Sequence, residues 1–402
     1  MDGIAPLKNP VQEYAWGSRT FIQKLLRDPV PKGKPLAELW MGTHLHGPSR
    51  VLWAGKWILL SRLIQENPER ILGEGVARRF CNQLPFLFKV LAAEKPLSIQ
   101  CHPNLKQATT GFQREESCGI GPSSPARNYK DQNHKPEIFC ALRPSWVLKG
   151  FRNPLEIRSL IRKLGLSSSM DGISPALGKG LGKSLKAFFA ALIELDHQRQ
   201  RELISEVIRS IKKASDRPPP FAWVGKLNRV FPDEVMALSP LLLNLIHLKA
   251  GDAVMINPGT LHAYLGGAGV ELMANSDNVV RAGLTPKTKD VAEVLQIVNF
   301  HEEDAKILGA EKRGGAEWAY PSEAKEFALS LISTTKHTRH VNSRNHSSEI
   351  MICVAGRGRI TDLGRGNSLS LGRGVSLLVP ASVGQYRIEG RATLYKAAVP
   401  LE

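Results

Sequence analysis

The chain is expected to be mainly β, with a helical insertion and a second, smaller β domain at its end. Three patterns carry this expectation. From Pro35 to Phe139, and again from Ser239 to about Ala282, short runs rich in Val, Ile, Leu and Phe are broken by Gly, Pro and Asn, as strands are. Between Pro154 and the triple proline Pro218–Pro219–Pro220 the apolar residues recur at helical spacing. From about Phe327 to Glu402 short strands alternate with glycine-rich turns. A chain of 402 residues also exceeds one ordinary domain. Residues 1–153 and 238–322 are therefore assigned to one interrupted β domain, 154–237 to the insertion and 323–402 to the terminal domain.

In the insertion, Leu185, Phe188, Phe189, Leu192 and Ile193 fall at i, i+3, i+4, i+7 and i+8, and Leu203, Ile204, Val207, Ile208 and Ile211 repeat the pattern. The triple proline should break it, with room for one more turn or short helix over Val224 to Val235. SPLLLNLIHLKAGDAVMINPGTLHAY returns to β character, and Asp290 to Val298 suggests a closing helix. The last segment reads EIMICVAGRGRI, SLSLGRGVSLLVP and YRIEG, each bounded by glycine.

Hydrophobic residues make up 42% and charged residues 23%, which excludes a disordered or fibrous chain. No apolar run approaches the roughly 20 residues of a membrane helix, and the N-terminus lacks the basic start and apolar core of a secretory leader. Cys81, Cys101, Cys118, Cys140 and Cys353 are odd in number and form no CxxC pair, so free thiols in a reducing, cytoplasmic setting are expected. The formal net charge of +17 is scattered rather than gathered into a run. With no RNP pattern, zinc-finger spacing or GxxxxGK[ST] motif, neither a nucleic-acid nor a membrane partner is expected. Part of the charge would instead draw in a small anion.

In LSIQCHPN, Gln100 and His102 stand two residues apart on an expected strand, so both face one side and Cys101 the other. NYKDQNHKPEIFCAL adds Glu137, and GTLHAY adds His262. Two imidazoles, a carboxylate and an amide oxygen suit a divalent cation with room for water or substrate. A lone strand His is more often structural than a ligand, Glu137 alone is no better, and Gln is a poor metal ligand.

GDAVMINPGTLH, from Gly251 to His262, resembles the second motif of the cupin barrels, a glycine turn and a strand ending at Pro, Gly and a metal-binding His. Here Asn257 stands in the usual proline place and Pro258 directly precedes Gly259, which should alter the turn without removing the ligand. AELWMGTHLHGPS, LPFLFKVLAAEKPLSIQCHPN, ARNYKDQNHKPEIFCAL, LSPLLLNL and GTLHAYLGGAGVELMANSDNVVRAGLTPK together resemble the type I mannose-6-phosphate isomerases, the bacterial members most, over most of residues 5–300.

That resemblance implies a cupin barrel catalytic domain holding one Zn²⁺ on Gln100, His102, Glu137 and His262. It implies a catalytic Arg281, with Glu271, Asp277, Tyr264 and Lys135 lining the pocket and Trp16 bordering it. Lys89, Ser98 and Lys287 would lie near the sugar phosphate. The implied reaction moves a proton between C2 and C1 of a hexose 6-phosphate through a cis-enediol, with Glu271 the first choice of base and Lys135 the second. Arg281 would serve either the enediolate or the phosphate. Blander roles stand beside these: Lys89 snorkelling from its strand, Glu271 pairing with Arg281, His44 and His46 as structural residues, and His134 supporting its loop.

The family usually reads close to LTPF before its Gly-Phe-Arg turn, whereas this chain reads ALRPSWVLKGFR, a change that touches no ligand. In the terminal domain Glu349 and Gly356 fit the end of a first cupin motif, and Gly374 to Pro380 the start of a second. No His follows Pro380, and His346 is two residues too close to Glu349 for the usual spacing, so this jelly roll is expected to hold no metal. A monomeric, cytoplasmic enzyme supplying mannose 6-phosphate for GDP-mannose is the reading; the alternatives are another metal-dependent cupin isomerase or oxygenase, or a non-catalytic sugar-binding cupin.

Overall fold

The computed structural model describes residues 3–26, 33–166 and 181–401, so part of the expected insertion, 167–180, lies outside the described residues. Two large antiparallel sheets dominate. The first is organised by one long strand, His262–Ala274, which pairs with Phe86–Ala93 along one edge and with Glu137–Ala141 along the other. At its His262 end it pairs instead with Ser145–Phe151 and Ile99–Cys101, after a register shift between Tyr264 and Gly266. Gly267 and Gly269 make this bend possible, because a side chain at either would collide with Ser145 or with the Cys140 carbonyl.

The second sheet is built on Glu349–Asp362 and Tyr386–Ala398, paired over most of their length. It also recruits the N-terminal strand: Ala5 pairs with Leu378, and Leu7 with Val51. Hydrogen bonding is therefore continuous between the first residues of the chain and the last domain.

Helices Leu181–Ile193, His197–Lys213 and Pro219–Val230 bring Phe189, Val207 and Trp223 into one core with Leu148, Phe151 and Leu261 of the first sheet. Cys101 belongs to this same core, so the helical layer backs the strand that carries Gln100.

Local structure departs from the sequence expectation in three places. The triple proline does not end the helical region but starts a 12-residue helix, with Pro219 at its first position, where a missing N–H costs nothing. Ser239–Leu242 forms a helical turn before the strand begins at Leu243. The stretch from Pro35 to Phe139, expected as β, contains helices Leu60–Glu66, Pro68–Leu72, Glu74–Arg79 and Leu105–Ser117. Each of the first three spans about two turns or fewer, too short to display a period. The fourth announces itself by a capping box, in which Asn104 and Gln107 each accept the other's backbone N–H.

Candidate active site

Three strand ends converge to build the site. Gln100 and His102 lie at the end of Ile99–Cys101, Glu137 opens the strand after Pro136, and His262 opens the long strand directly opposite Gln100. The turn before His262 is tied to the same place, since Gly259 N donates to the His102 carbonyl at 2.8 Å. The candidate ligand atoms of His102, Glu137 and His262 all lie within 4.8 Å of one another, and all three residues are buried.

The tautomers are set from outside. His102 Nδ1 donates to the Asn278 carbonyl at 2.7 Å, and His262 Nδ1 to the Thr260 carbonyl at 3.0 Å. A carbonyl only accepts, so both Nε2 atoms carry lone pairs, and both face Glu137, at 3.3 and 3.6 Å from its two oxygens. His102 Nε2 and Glu137 Oε2 are buried without a hydrogen-bond partner. Lone pairs gathered without donors are costly unless a cation joins them, and two imidazoles with a carboxylate are the donor set that suits Zn²⁺. Gln100 Nε2 lies 3.3 Å from His262 Nε2, so a half-turn of the amide presents Oε1 to the same cluster.

Outer contacts hold these ligands. Asn278 donates to the Asp131 and Asn133 carbonyls and accepts from Lys130 N, linking His102 to that loop. Thr260 Oγ1 donates to Glu303, which also pairs with Lys149 at 3.1 Å. Gly150, at φ 59, leaves the space that the Glu303 side chain fills.

A chain of buried charges runs beside the cluster. Lys135 Nζ pairs with Glu137 Oε1 at 3.1 Å, and Lys89 Nζ lies between Glu271 at 3.0 Å and Glu38 at 3.7 Å. Trp40 Nε1 donates to Glu38 at 2.8 Å, with its ring 5.5 Å from Lys89 Nζ. Burial opposes ionisation of Glu137, but the Lys135 ammonium beside it outweighs burial and holds its carboxyl well below the usual range. Burial, with Lys135 beside it, brings the His102 imidazole down to about 4. Burial also raises Glu271, against the pull of Lys89 and with help from Glu137, which makes it a stronger proton acceptor than an ordinary carboxylate. Tyr264 stacks on Phe139 at 4.6 Å, and burial beside Glu271 raises its hydroxyl pKa.

At the rim, Asp277 accepts from His44 Nε2 at 3.1 Å, with His46 at 3.9 Å, and the His44 contact outweighs burial to lower its pKa to about 2. Arg281 is the cross-strand neighbour of Gln100, is more than half buried, and has no ion-pair partner among the described residues. Burial and the charges of Arg281 and Lys130 depress Lys287, so these three cations share one neighbourhood. Trp16 packs on the core that contains Tyr264, and Ser98 is half-buried just before Ile99. His134 bonds to Glu326 at 2.9 Å and supports its loop.

The structure thus brings together Gln100, His102, Glu137 and His262, with Lys135 against the cluster and Arg281 next to Gln100. Glu271 pairs with Lys89 rather than Arg281, and Lys89 is buried in that pairing instead of snorkelling. Glu38, Asn278, Glu303 and Lys130 escaped the sequence reading; only the acid in the apolar run ELWM hinted at the first. In the terminal barrel, Glu349 is engaged by the Tyr386 hydroxyl at 2.7 Å and Lys396 Nζ at 3.1 Å, and both His346 ring nitrogens face backbone carbonyls.

The model of the phosphomannose isomerase type I catalytic domain matches residues 4–154, and that of the mannose-6-phosphate isomerase cupin domain matches residues 317–399. The mannose-6-phosphate isomerase of Salmonella typhimurium is 39% identical over 352 residues, covering 87% of this chain and 88% of its own. The human enzyme of that name is 34% identical over 326 residues, covering 75% and 74%. A crystal structure of the Salmonella typhimurium enzyme bound to fructose 6-phosphate and zinc superposes with a TM-score of 0.92 at 35% identity, covering 99% of this chain and all of that one. The fold agrees with these relatives, and the chain belongs to the type I mannose-6-phosphate isomerases.

Proposed function

We propose that the protein interconverts D-mannose 6-phosphate and D-fructose 6-phosphate by proton transfer through a cis-enediol. The observation that carries this reading is the convergence of two imidazole lone pairs and a buried carboxylate on one point, beside a second carboxylate whose pKa is raised. His102, Glu137, His262 and Gln100 would hold Zn²⁺, which when bound supplies Lewis-acid stabilisation of negative oxygen.

The chain's own residues do the rest. Glu271 takes the proton from C2 of mannose 6-phosphate and returns it to C1, its Oε1 being the oxygen that Lys89 leaves free. The Lys135 ammonium is already committed to Glu137 as a donor, which favours Glu271 over Lys135 as the base. Lys89 orients Glu271 and keeps it ionised rather than binding the phosphate. Arg281 stabilises the enediolate from its place beside Gln100, and Lys287, with Ser98 and the newly recognised Lys130, receives the phosphate dianion. Trp16, Tyr264 and Asp277 close the sugar pocket, Asp277 being held in place by His44.

The division into residues 1–153, 154–237, 238–322 and 323–402 is proposed as the functional one, with the last domain a barrel serving packing. We further assign the enzyme to the cytoplasm as a monomer that supplies mannose 6-phosphate for GDP-mannose; no described helix is long and apolar enough to cross a membrane. Incubating the zinc-loaded protein with fructose 6-phosphate without oxygen tests the reading. Mannose 6-phosphate should accumulate to equilibrium. No conversion, together with oxygen consumption when Fe(II) replaces zinc, would move the protein to the cupin oxygenases.

A further inference from the structure

The terminal barrel carries a basic site that the isomerase reaction does not use. Arg357 on Glu349–Asp362 stands directly opposite Arg391 on Tyr386–Ala398, and opposite Gly372 on its other side. Arg373 follows Gly372 in the turn that ends that strand, so the three arginines lie on adjacent segments of one sheet. With Val354, Ala355 and Gly356 they line an open surface depression of about 420 Å³. All three arginines are exposed, and among the described residues none has a carboxylate partner.

Two features set this cluster apart from an ordinary solvated surface. Like charges directly opposite on a ladder are destabilising, and two residues further along the same ladder the pairing is the favourable one, Arg359 with Glu389. The ladder is also bulged between Cys353 and Ala355, and the next residue, Gly356, sits at φ 79 so close to the partner strand that a side chain there would fall on the Arg391 carbonyl. The irregular stretch of the ladder thus borders the depression that the arginines line.

We propose that this concavity binds the diphosphate group of a small phosphorylated molecule. A diphosphate carries close to three negative charges at neutral pH, matching the three guanidinium groups, whose planar forks suit paired phosphate oxygens. Bound diphosphate removes the Arg357–Arg391 repulsion. The site lies in the second sheet, away from the His102–Glu137–His262 cluster of the first, and its proposal stands independently of the isomerase reading.

The test is calorimetric titration of the full-length, zinc-loaded protein with inorganic pyrophosphate, in saturating fructose 6-phosphate so that the isomerase site is filled. One equivalent should bind, and Arg391→Gln and Arg373→Gln should each weaken binding about ten-fold or more. Isomerase kinetics of both variants should match wild type, which also reports their folding. Arg373 lies in a turn outside the long ladder, so that variant reads the site even if Arg391→Gln fails to fold. A nucleoside diphosphate that binds more tightly than pyrophosphate would identify a nucleotide as the source; equal binding would identify the diphosphate alone. Unchanged affinity in both variants would overturn the proposal, as would binding of duplex DNA but not pyrophosphate.

Discussion

Replacing Lys89 by methionine perturbs the charge chain beside the cluster in a way that can be worked out from its distances. Lys89 Nζ lies 3.0 Å from Glu271 and 3.7 Å from Glu38, and all three side chains are buried. At an effective dielectric of about 20 the shorter contact alone is worth about 5 kcal/mol, or roughly four pKa units at 1.36 kcal/mol each. Water entry and relaxation would reduce this, so a rise of about two units or more in the Glu271 pKa is expected. Burial already raises Glu271, so the variant shifts it further toward the protonated form, which is inactive as a base. Activity requires the ionised form, so a higher pKa moves the acid limb of kcat/KM to higher pH. The assay is a pH profile of fructose 6-phosphate conversion from pH 5.5 to 10. The variant should lose about 100-fold near neutrality and recover part of it in alkali. Urea unfolding should show a loss of about 3–5 kcal/mol, because two carboxylates lose their shared cation. A variant with an unmoved acid limb, or one impaired equally at every pH, would refute the assignment of Glu271 as the base that Lys89 keeps ionised.

The other expectations concern the rim, the terminal barrel and one helix. Lys287→Ala should raise the KM for fructose 6-phosphate about ten-fold with little change in kcat, whereas Arg281→Ala should lower kcat by about 10²-fold or more, and steady-state kinetics separates the two. Lys396 pairs with Glu317 at 2.7 Å and Glu349 at 3.1 Å, and Lys396→Met should cost about 3 kcal/mol by urea unfolding. Burial opposes both charges of that pair, yet the partners depress Glu317 and raise Lys396. The pair's contribution is therefore present between the unfolded values of about 4.5 and 10.5, fading as pH falls through the lowered Glu317 value or rises through the raised Lys396 value. In the variant this pH dependence should disappear. Gly111→Ala would drive a methyl into the Tyr129 ring, whose hydroxyl bonds to Glu293; a loss of about 1–3 kcal/mol with an altered near-ultraviolet dichroism signal is expected.

Much of the centre was legible because its ligands occupy strand ends with distinctive local chemistry. Gln100 and His102 alternate around a buried Cys101, Glu137 follows Pro136, and His262 follows a glycine turn. The long helices were legible by period, since Phe188, Phe189 and Leu192 each face the core. The two-turn helices after Leu60 were not, because a segment that short repeats its pattern hardly once. The partners of Lys89 were also hidden. Glu38 and Glu271 come from strands far apart in the sequence, and only the pairing of Glu38 and Trp40 with Leu91 and Lys89, and of Glu271 with Lys89, brings them together. The same holds for Asp277 and His44, and for Asn278, whose carbonyl sets the tautomer of His102. Part of the positive charge acquires a local account in the Arg357, Arg373 and Arg391 cluster.

The central claim is that His102, Glu137 and His262, with Gln100, hold the one metal on which isomerisation depends. Titrating chelator-stripped, folded protein with Zn²⁺ while following fructose 6-phosphate conversion tests it most directly. Activity should be absent in the stripped protein, rise linearly with added zinc and saturate at one equivalent per chain, and His262→Ala should abolish the response. Full activity in the stripped protein, or saturation unaffected by His262→Ala, would contradict the account.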